Sequence, residues 1–537
     1  MKIKTIDGLL LKKMFVQGAS VLDGNKSTVD ALNVFPVPDG DTGTNMSLTM
    51  NGAAKEVKEV RINTIDYIVE AIANGSLMGA RGNSGVILSQ LFRGFAKVCK
   101  GKEVLTIVDL ADAFKSASDT AYKAVMKPIE GTILTVARVI GEKAIELSKE
   151  EMYIDEFLYQ LIEYGEQVLN KTPEMLAVLK EAGVVDAGGK GLIFIFNGFY
   201  EAITGKEVII EEPTIVDLEK VEGEDIKDIT FGYCTEFIIK GDHVNIEKFK
   251  EKIGGYGDCM LVVGDETLVK VHIHTNHPGI VLEEGLKLGE LTRLKIDNMR
   301  QQHENKVFED VNEENNTEIK EFGMIAVTMG EGLTDIFKDL NVDEIITGGQ
   351  TMNPSTEDIK NAIDRINAKH IFVLPNNGNI ILAANQAKEL SHKDITVIPT
   401  KTVPQGITAI LAYNEDLNIE ENTEVMTEAF QNVKTGQITY SVRDTQFNDI
   451  TIKEGDILGI ADGKITVVGS NIEDEAYKLL EGMVTEDDEI VTIFYGEDRT
   501  EDQAQALAER IEKIYEDIDV EVYYGGQPLY YYIFSIE

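Results

Sequence analysis

The first two hundred residues carry apolar side chains at helical spacing. Leu9, Leu10, Leu11, Met14 and Phe15 open the pattern, Ile68, Ala71 and Ile72 continue it, and Phe157, Leu158, Leu161 and Ile162 repeat it near the end. Recurrence at three and four residues places one face of each helix against a core. Alternation of the strand type is nearly absent there. Turn-forming clusters such as Asp23-Gly24-Asn25, Asn74-Gly75-Ser76 and Lys171-Thr172-Pro173 separate the segments. Residues 1–205 are therefore expected to form one all-α domain.

From Glu211 to about Asp228 the pattern breaks into an acidic, weakly periodic connector. Short β-type runs follow at 229–239, 260–263 and 268–274, with helical stretches near 245–253 and 279–288, which suits a small α+β domain over 206–307. A second polar connector, Phe308 to Asn316, reads as a mobile hinge. Beyond it, strands at 324–327, 345–347, 370–374 and 395–398 alternate with helical segments, the order of a parallel α/β sheet. Further strands at 438–442, 490–494, 520–524 and 530–534, with helices near 473–480 and 504–514, complete a domain over 318–537.

Charge narrows the partners. The 537 residues hold 51 Lys+Arg against 93 Asp+Glu, a net of −42. Such a chain lacks the basic surface that neutralises a nucleic-acid backbone or holds to anionic lipid, so no nucleic-acid partner is expected. The excess is uneven: residues 1–200 carry a net of −3 and the remainder −39. The first domain need not repel an anionic ligand, whereas the acidity of the rest fits a relatively basic docking partner or simple solubility. No run approaches the roughly 20 apolar residues that span a bilayer, and no leader pattern opens the chain. A cytoplasmic protein is expected, with room left for a homodimer. Cys99, Cys234 and Cys259 are widely spaced and odd in number, which argues against a disulfide framework.

The densest chemistry is Asn33-Val34-Phe35-Pro36-Val37-Pro38-Asp39-Gly40-Asp41-Thr42-Gly43-Thr44-Asn45-Met46. Two prolines fix an extended approach, and two glycines let the backbone fold around Asp39 and Asp41. With the Asn33 oxygen as third ligand, these carboxylates offer a hard-oxygen site for Mg²⁺, a cation that keeps waters and takes substrate phosphates as further ligands. A helix starting near Thr44 would aim its N-terminal amides at the same place. A solvated interhelical turn would also be written with Asp and Gly. Three more glycine turns sit at helix ends: Gly79 to Gly85, whose Asn83 and Ser84 can meet an oxyanion, Lys127 to Leu134, and Val185 to Gly191. Together they could line one rim and hold a nucleoside triphosphate; the alternative is four ordinary connections.

These motifs, with Gly-Ala-Arg-Gly-Asn-Ser-Gly-Val-Ile-Leu-Ser-Gln and Val-Val-Asp-Ala-Gly-Gly-Lys-Gly, closely resemble the ATP-binding subunit of bacterial fatty acid kinase. The first domain is also similar, more distantly, to the nucleotide-binding L subunit of dihydroxyacetone kinase. The resemblance spans the chain and implies an all-α, DhaL-like helical barrel that binds nucleotide, a small α+β middle domain, and an α/β C-terminal domain of the DegV-like kind found in the family's fatty-acid carriers. It implies that Asp39 and Asp41 hold Mg²⁺ bridging the phosphates of ATP. Thr42, Gly43, Thr44, Asn45, Asn83, Ser84 and Gly85 would surround the phosphates, with Thr132, Leu134, Asp186, Ala187 and Gly188 around the nucleoside. Asn33 stands where the dihydroxyacetone kinases carry a third acidic residue, so fewer negative ligands face the metal.

In the expected strand 268–274, the period of two puts His272 and His274 on one face. Cys234, in a neighbouring strand, would complete a Cys/His/His set for Zn²⁺ with an open fourth position, and His277 is a spare ligand. Histidines at such spacing also occur as plain structural residues; the resemblance favours the functional reading, since the family's middle domain carries a matching Cys and His-x-His. Loops Gly348 to Ser355 and Leu374 to Asn379 follow strands, where parallel sheets bind ligands. No ligand is assigned to them, and the resemblance implicates this region in docking the carrier. The resulting expectation is ATP-dependent phosphorylation of a fatty acid carboxylate presented by a separate DegV-type protein. The rivals are a kinase for a small hydroxy-ketone such as dihydroxyacetone and a non-catalytic nucleotide sensor.

Overall fold

The computed structural model describes residues 3–33, 40–125, 127–205, 233–240, 246–264, 268–298, 319–349, 352–447, 450–515 and 517–537. Both expected connectors, residues 229–232 of the first expected middle-domain strand, and Asp39 lie outside them.

Amphipathic segments of the first part become α1 (Gly8–Asp30), α2 (Thr42–Glu59), α3 (Ile65–Met78), α4 (Gly82–Cys99), α5 (Ile107–Ala124), α6 (Ile133–Leu147), α7 (Ile154–Leu169), the short α8 (Thr172–Met175) and α9 (Ala177–Ala182), and α10 (Ala187–Thr204). Side-chain caps fix several starts: the Asp7 carboxylate accepts from the Leu10 N–H at 2.8 Å, and Thr106 with Asp109 forms a reciprocal capping box on α5. Successive helices pack side by side, and α10 returns against α1, α6 and α7, which closes a ring. Its centre holds Phe15, Phe92, Phe95, Phe114, Phe196 and Phe199, with neighbouring ring centroids 4.9–5.9 Å apart. Cys99 is buried and free, and burial pushes its thiol up to about 12, as suits a core residue.

The middle segment contains β1 (Tyr233–Lys240), α11 (Ile246–Ile253), β2 (Gly257–Gly264), β3 (Leu268–Thr275), α12 (Pro278–Leu286) and β4 (Glu290–Asn298). Its antiparallel sheet has the order β2-β3-β1-β4. Phe237, Ile239, Val269, Val271 and Ile273 pack against Phe249 and Ile253 of α11 and Val281 of α12. Strand β4 is absent from the sequence expectation.

The C-terminal part begins with β5 (Lys320–Thr328), α13 (Glu331–Asp339), β6 (Glu344–Thr347), α14 (Thr356–Arg365), β7 (Ala368–Leu374), α15 (Ile381–Leu390) and β8 (Asp394–Val397). Its four strands form the parallel sheet that the alternation implies, in the order β6-β5-β7-β8. After α16 (Val403–Leu411) and α17 (Ile419–Asn432) come β9 (Lys434–Tyr440), the small hairpin β10 (Thr445–Phe447) and β11 (Ile450–Ile452), then β12 (Ile457–Ala461) and β13 (Lys464–Gly469). α18 (Ile472–Met483), β14 (Ile490–Tyr495), α19 (Glu501–Glu512), β15 (Asp519–Tyr524) and β16 (Tyr532–Ile536) finish the chain. They build a mixed sheet of order β13-β12-β9-β16-β14-β15.

Residues 1–213 and 319–537 form one compact unit, and residues 214–318 form another. Within the first unit, Ala80 and Val86 at the start of α4 are buried in the same apolar cluster as Ile325, Val327, Ile359 and Ile371 of the parallel sheet and its helix. The helical and C-terminal parts thus share a core.

Candidate functional site

α1 and α10 run antiparallel. Gln17 Nε2 donates to Glu201 Oε2 at 2.9 Å, and a Cβ on Gly198 would lie only 2.5 Å from Gly18 Cα. The last turn of α1 and the first turn of α10 therefore lie at the same end of the ring. An open cavity of about 330 Å³ occupies that end. Asn33, Asp41, Thr42, Asn45, Asn83, Ser84, Asp186, Ala187 and Gly188 line it, so the structure brings together nine residues singled out in the sequence.

The start of α2 is pinned by a residue the sequence reading passed over. Asp30, at the end of α1, accepts from the Gly43 N–H at 2.6 Å and the Thr44 N–H at 3.1 Å through Oδ1, and from the Thr44 hydroxyl at 2.9 Å through Oδ2. The α2 amides expected to cradle a phosphate are thus already bonded to a carboxylate, and Gly43 and Thr44 hold the helix start rather than line the cavity. Asn33 also differs from expectation. Its Oδ1 accepts from the Thr42 hydroxyl at 2.7 Å, while its Nδ2 is buried with no hydrogen-bond partner among the described residues. Arg443, from the chain between β9 and β10, donates to the carbonyls of Ala31 and Asn33, a cation at a helix C-terminus where its charge is favourable.

On α4, Gly82 has φ +56° and a Cβ there would lie 2.5 Å from Asn45 Nδ2, so only glycine leaves the Asn45 amide its place at the cavity. Asn45 is 3 % exposed and lines the cavity together with Ser84. Gly85 serves packing: a Cβ would meet Thr49 Oγ1 at 2.3 Å, which marks the close approach of α4 to α2. At α6, Ile133 faces the cavity, not its expected neighbours. Leu134 is turned into the core and the Thr132 hydroxyl donates to the Ile129 carbonyl at 2.8 Å.

Asp186 joins two glycine turns. Its carboxylate accepts from the Gly189 N–H at 2.6 Å, which caps α10, and from the Ile133 N–H at the start of α6. Burial pushes the Asp186 carboxyl up to about 6, against the pull of those two donors.

Asp41 and the amides and hydroxyls share the cavity with Leu32, Ile87, Ile133 and Leu179, apolar side chains on which a planar base can rest. No Lys or Arg is among the described lining residues. A polyphosphate beside Asp41 would need its charge neutralised by a cation, and the carboxylate with its surrounding oxygens is a hard donor set that fits Mg²⁺. The loops after β6 and β7 also reach this end: Asn83 Nδ2 donates to Asn379 Oδ1 at 3.1 Å, and Asn353 Nδ2 donates to Asp41 Oδ2. Neither asparagine was assigned a role from sequence.

In the middle unit, the backbone register pairs Cys234 with His274 and Glu236 with His272. Thr235, Phe237, Val271 and Ile273 are buried on the helix-covered face, so Cys234, His272 and His274 occupy alternate positions on the other. No cluster of potential metal ligands is found among the described residues, which exclude these three side chains. The spare candidate His277 sits before α12, its N–H donating to Thr275 Oγ1 at 2.9 Å.

Residues 36–201 match the DAK2 domain model, residues 230–306 the FakA-like middle-domain model of fatty acid kinase, and residues 323–537 the FakA-like C-terminal model of fatty acid kinase. The chain is 46% identical over 553 residues to Protein YloV of Bacillus subtilis (strain 168), and 43% identical over 551 residues to an uncharacterized protein of Staphylococcus aureus (strain USA300), with all of each chain covered. Among solved structures, a Streptococcus pneumoniae Fatty Acid Kinase B3 protein loaded with linoleic acid aligns over 40% of this chain and 99% of its own, at 14% identity and TM-score 0.27. The dihydroxyacetone kinase of C. freundii aligns over 36% of this chain and 34% of its own, at 18% identity and TM-score 0.28. No helix among the described residues is long and apolar enough to cross a membrane.

Proposed function

Since this chain belongs to the FakA-like family of fatty acid kinase proteins, we propose that it binds ATP in the cavity at the end of the helical ring and transfers the γ-phosphoryl group to a fatty acid. The acid would be presented by a separate DegV-type binding protein, and the products would be acyl phosphate and ADP. The observation that carries the reading is the convergence of four separated glycine turns on one cavity that mixes polar donors with apolar side chains.

The residues divide the work by chemistry. Leu32, Ile87, Ile133 and Leu179 take the base, and the Asn45, Asn83 and Ser84 donors take phosphate oxygens. Asp41, with Asp39 two residues before it, would hold Mg²⁺, which neutralises phosphate charge as the β–γ bond breaks. A carboxylate acceptor is already ionised at neutral pH. One of its oxygens bonds to the γ-phosphorus, the bridging oxygen leaves with ADP, and no proton has to be removed. Residues 1–205 contain no histidine, which agrees with an acceptor that needs no general base. Positioning then supplies much of the rate. In the middle unit, Cys234, His272 and His274 would form a Zn²⁺ site, a reading supported by the register that sets Cys234 opposite His274 on adjacent strands.

The test is turnover of ATP with a fatty acid and a loaded carrier, with and without Mg²⁺, on the purified chain and on Asp39→Ala and Asp41→Ala. Carrier-dependent acyl phosphate, abolished in both variants, is expected. Rapid phosphorylation of free dihydroxyacetone without carrier would replace the substrate, and ATP binding without transfer to any acceptor would replace the kinase by a sensor.

A further inference from the structure

Two carboxamides of the C-terminal part enter the candidate nucleotide site of the helical part. Asn353 is 1 % exposed and is held from both sides. Its main-chain carbonyl accepts from Arg81 Nη1 at 2.7 Å, and the Arg81 guanidinium continues to Asp358 at 3.3 Å. The Arg81 backbone bridges Ser355, and Ser355 caps α14. From this fixed backbone the side chain places Nδ2 on the Asp41 carboxylate, while its Oδ1 is buried with no hydrogen-bond partner among the described residues. A buried oxygen without a partner among the described residues costs stability, which ordinary packing does not explain. Asn379 lines the cavity itself. Its N–H donates to Asn377 Oδ1 at 2.8 Å, which folds the loop, and its Oδ1 receives the Asn83 amide.

We propose that the C-terminal part is a working component of the nucleotide site, with Asn353 a positioning residue for Asp41 and Asn379 one for Asn83. The inference rests on the reading of the cavity as a Mg²⁺–nucleotide site. An amide locked onto one carboxylate oxygen sets the plane of Asp41 before a cation arrives, so cation affinity depends on a residue 312 positions away. By reciprocity, Mg²⁺ and nucleotide tighten the contact between the two parts as much as that contact tightens their binding. Occupancy of the nucleotide site is thereby reported to the loops at the C-terminal edge of the parallel sheet.

The experiment titrates the full-length chain with a non-hydrolysable ATP analogue at a series of Mg²⁺ concentrations. Asn353→Ala is expected to raise the Mg²⁺ midpoint for nucleotide binding at least fivefold. Asn379→Ala is expected to weaken nucleotide binding about equally at every Mg²⁺ concentration, leaving the midpoint in place. Hydrogen exchange on the wild type needs no variant: Mg²⁺ with nucleotide is expected to slow amides 353–358 and 376–380 several-fold. A wild type that binds no analogue removes the reading of the cavity. Wild-type binding with an unmoved midpoint in Asn353→Ala, or exchange at those loops indifferent to ligand, overturns this inference alone.

Discussion

Asp30 offers the sharpest test of how the site is held. Asp30→Ala removes three hydrogen bonds at once, to the Gly43 N–H, the Thr44 N–H and the Thr44 hydroxyl, at 2.6, 3.1 and 2.9 Å. Bonds to a charged group contribute about 1.5–3 kcal/mol each, but the three share one carboxylate and do not add in full. The net cost is therefore put at about 2–4 kcal/mol, with part of it the lost carboxylate at a helix N-terminus. Because Asp41 and Asn45 flank the released turn, the loss should reach the cavity: nucleotide affinity is expected to fall at least about tenfold, which corresponds to about 1.4 kcal/mol. Asp30→Asn keeps one acceptor and should fall between the two. Thermal unfolding and calorimetric titration with Mg²⁺ and an ATP analogue measure both effects. Wild-type stability together with wild-type affinity in Asp30→Ala would refute the assignment of Asp30 as the anchor of α2.

Three further outcomes are expected. Asp186 has a folded pKa raised from 3.8 to about 6, so the folded state binds its proton more tightly than the unfolded one; its contribution is complete below about pH 4 and is lost as pH rises through 6. Asp186→Asn should therefore gain on wild type by about 2–3 kcal/mol between pH 4 and pH 7, at about 1.4 kcal/mol per unit, and a pH-independent difference in melting would contradict it. Gly82→Ala forces a left-handed backbone on alanine at about 1–2 kcal/mol and drives a methyl into Asn45, so nucleotide affinity should drop while far-ultraviolet dichroism is retained. Cys234→Ala and His274→Ala should lower phosphoryl transfer while calorimetry shows nucleotide binding intact; a parallel loss of nucleotide binding would count against a separate middle-unit role.

Much of the fold was legible because its segments announce their period. The helical ring is written in amphipathic stripes, and the parallel sheet in short apolar runs between helices. Strand β4 was not, and its register explains why. Leu291 pairs with Ile239 and Ile296 with Thr235 across a bulge, so residues five apart oppose partners four apart and the period of two is lost. Strands β12 and β13 did carry a signal: Asp462-Gly463, with φ +46° and +79°, is a hairpin turn between alternating apolar residues. In the site, the glycine turns exposed Asp41, Asn83 and Asp186. Asp30 stayed hidden because a carboxylate ending a helix reads as solvated until α2 is seen folding back onto it. Asn353 and Asn379 have no local signature at all, since only the shared core brings them to residues some 300 positions earlier.

That shared core imposes an order on synthesis. The cluster holding Ala80 and Val86 is completed only by Ile371, Val373 and Ile395, with the whole middle unit made in between. At about 5–20 residues per second, α4 waits roughly 15–60 s on the ribosome before strand β8 is made. During that interval Ala80 and Val86 stand without the apolar cover that the finished protein gives them.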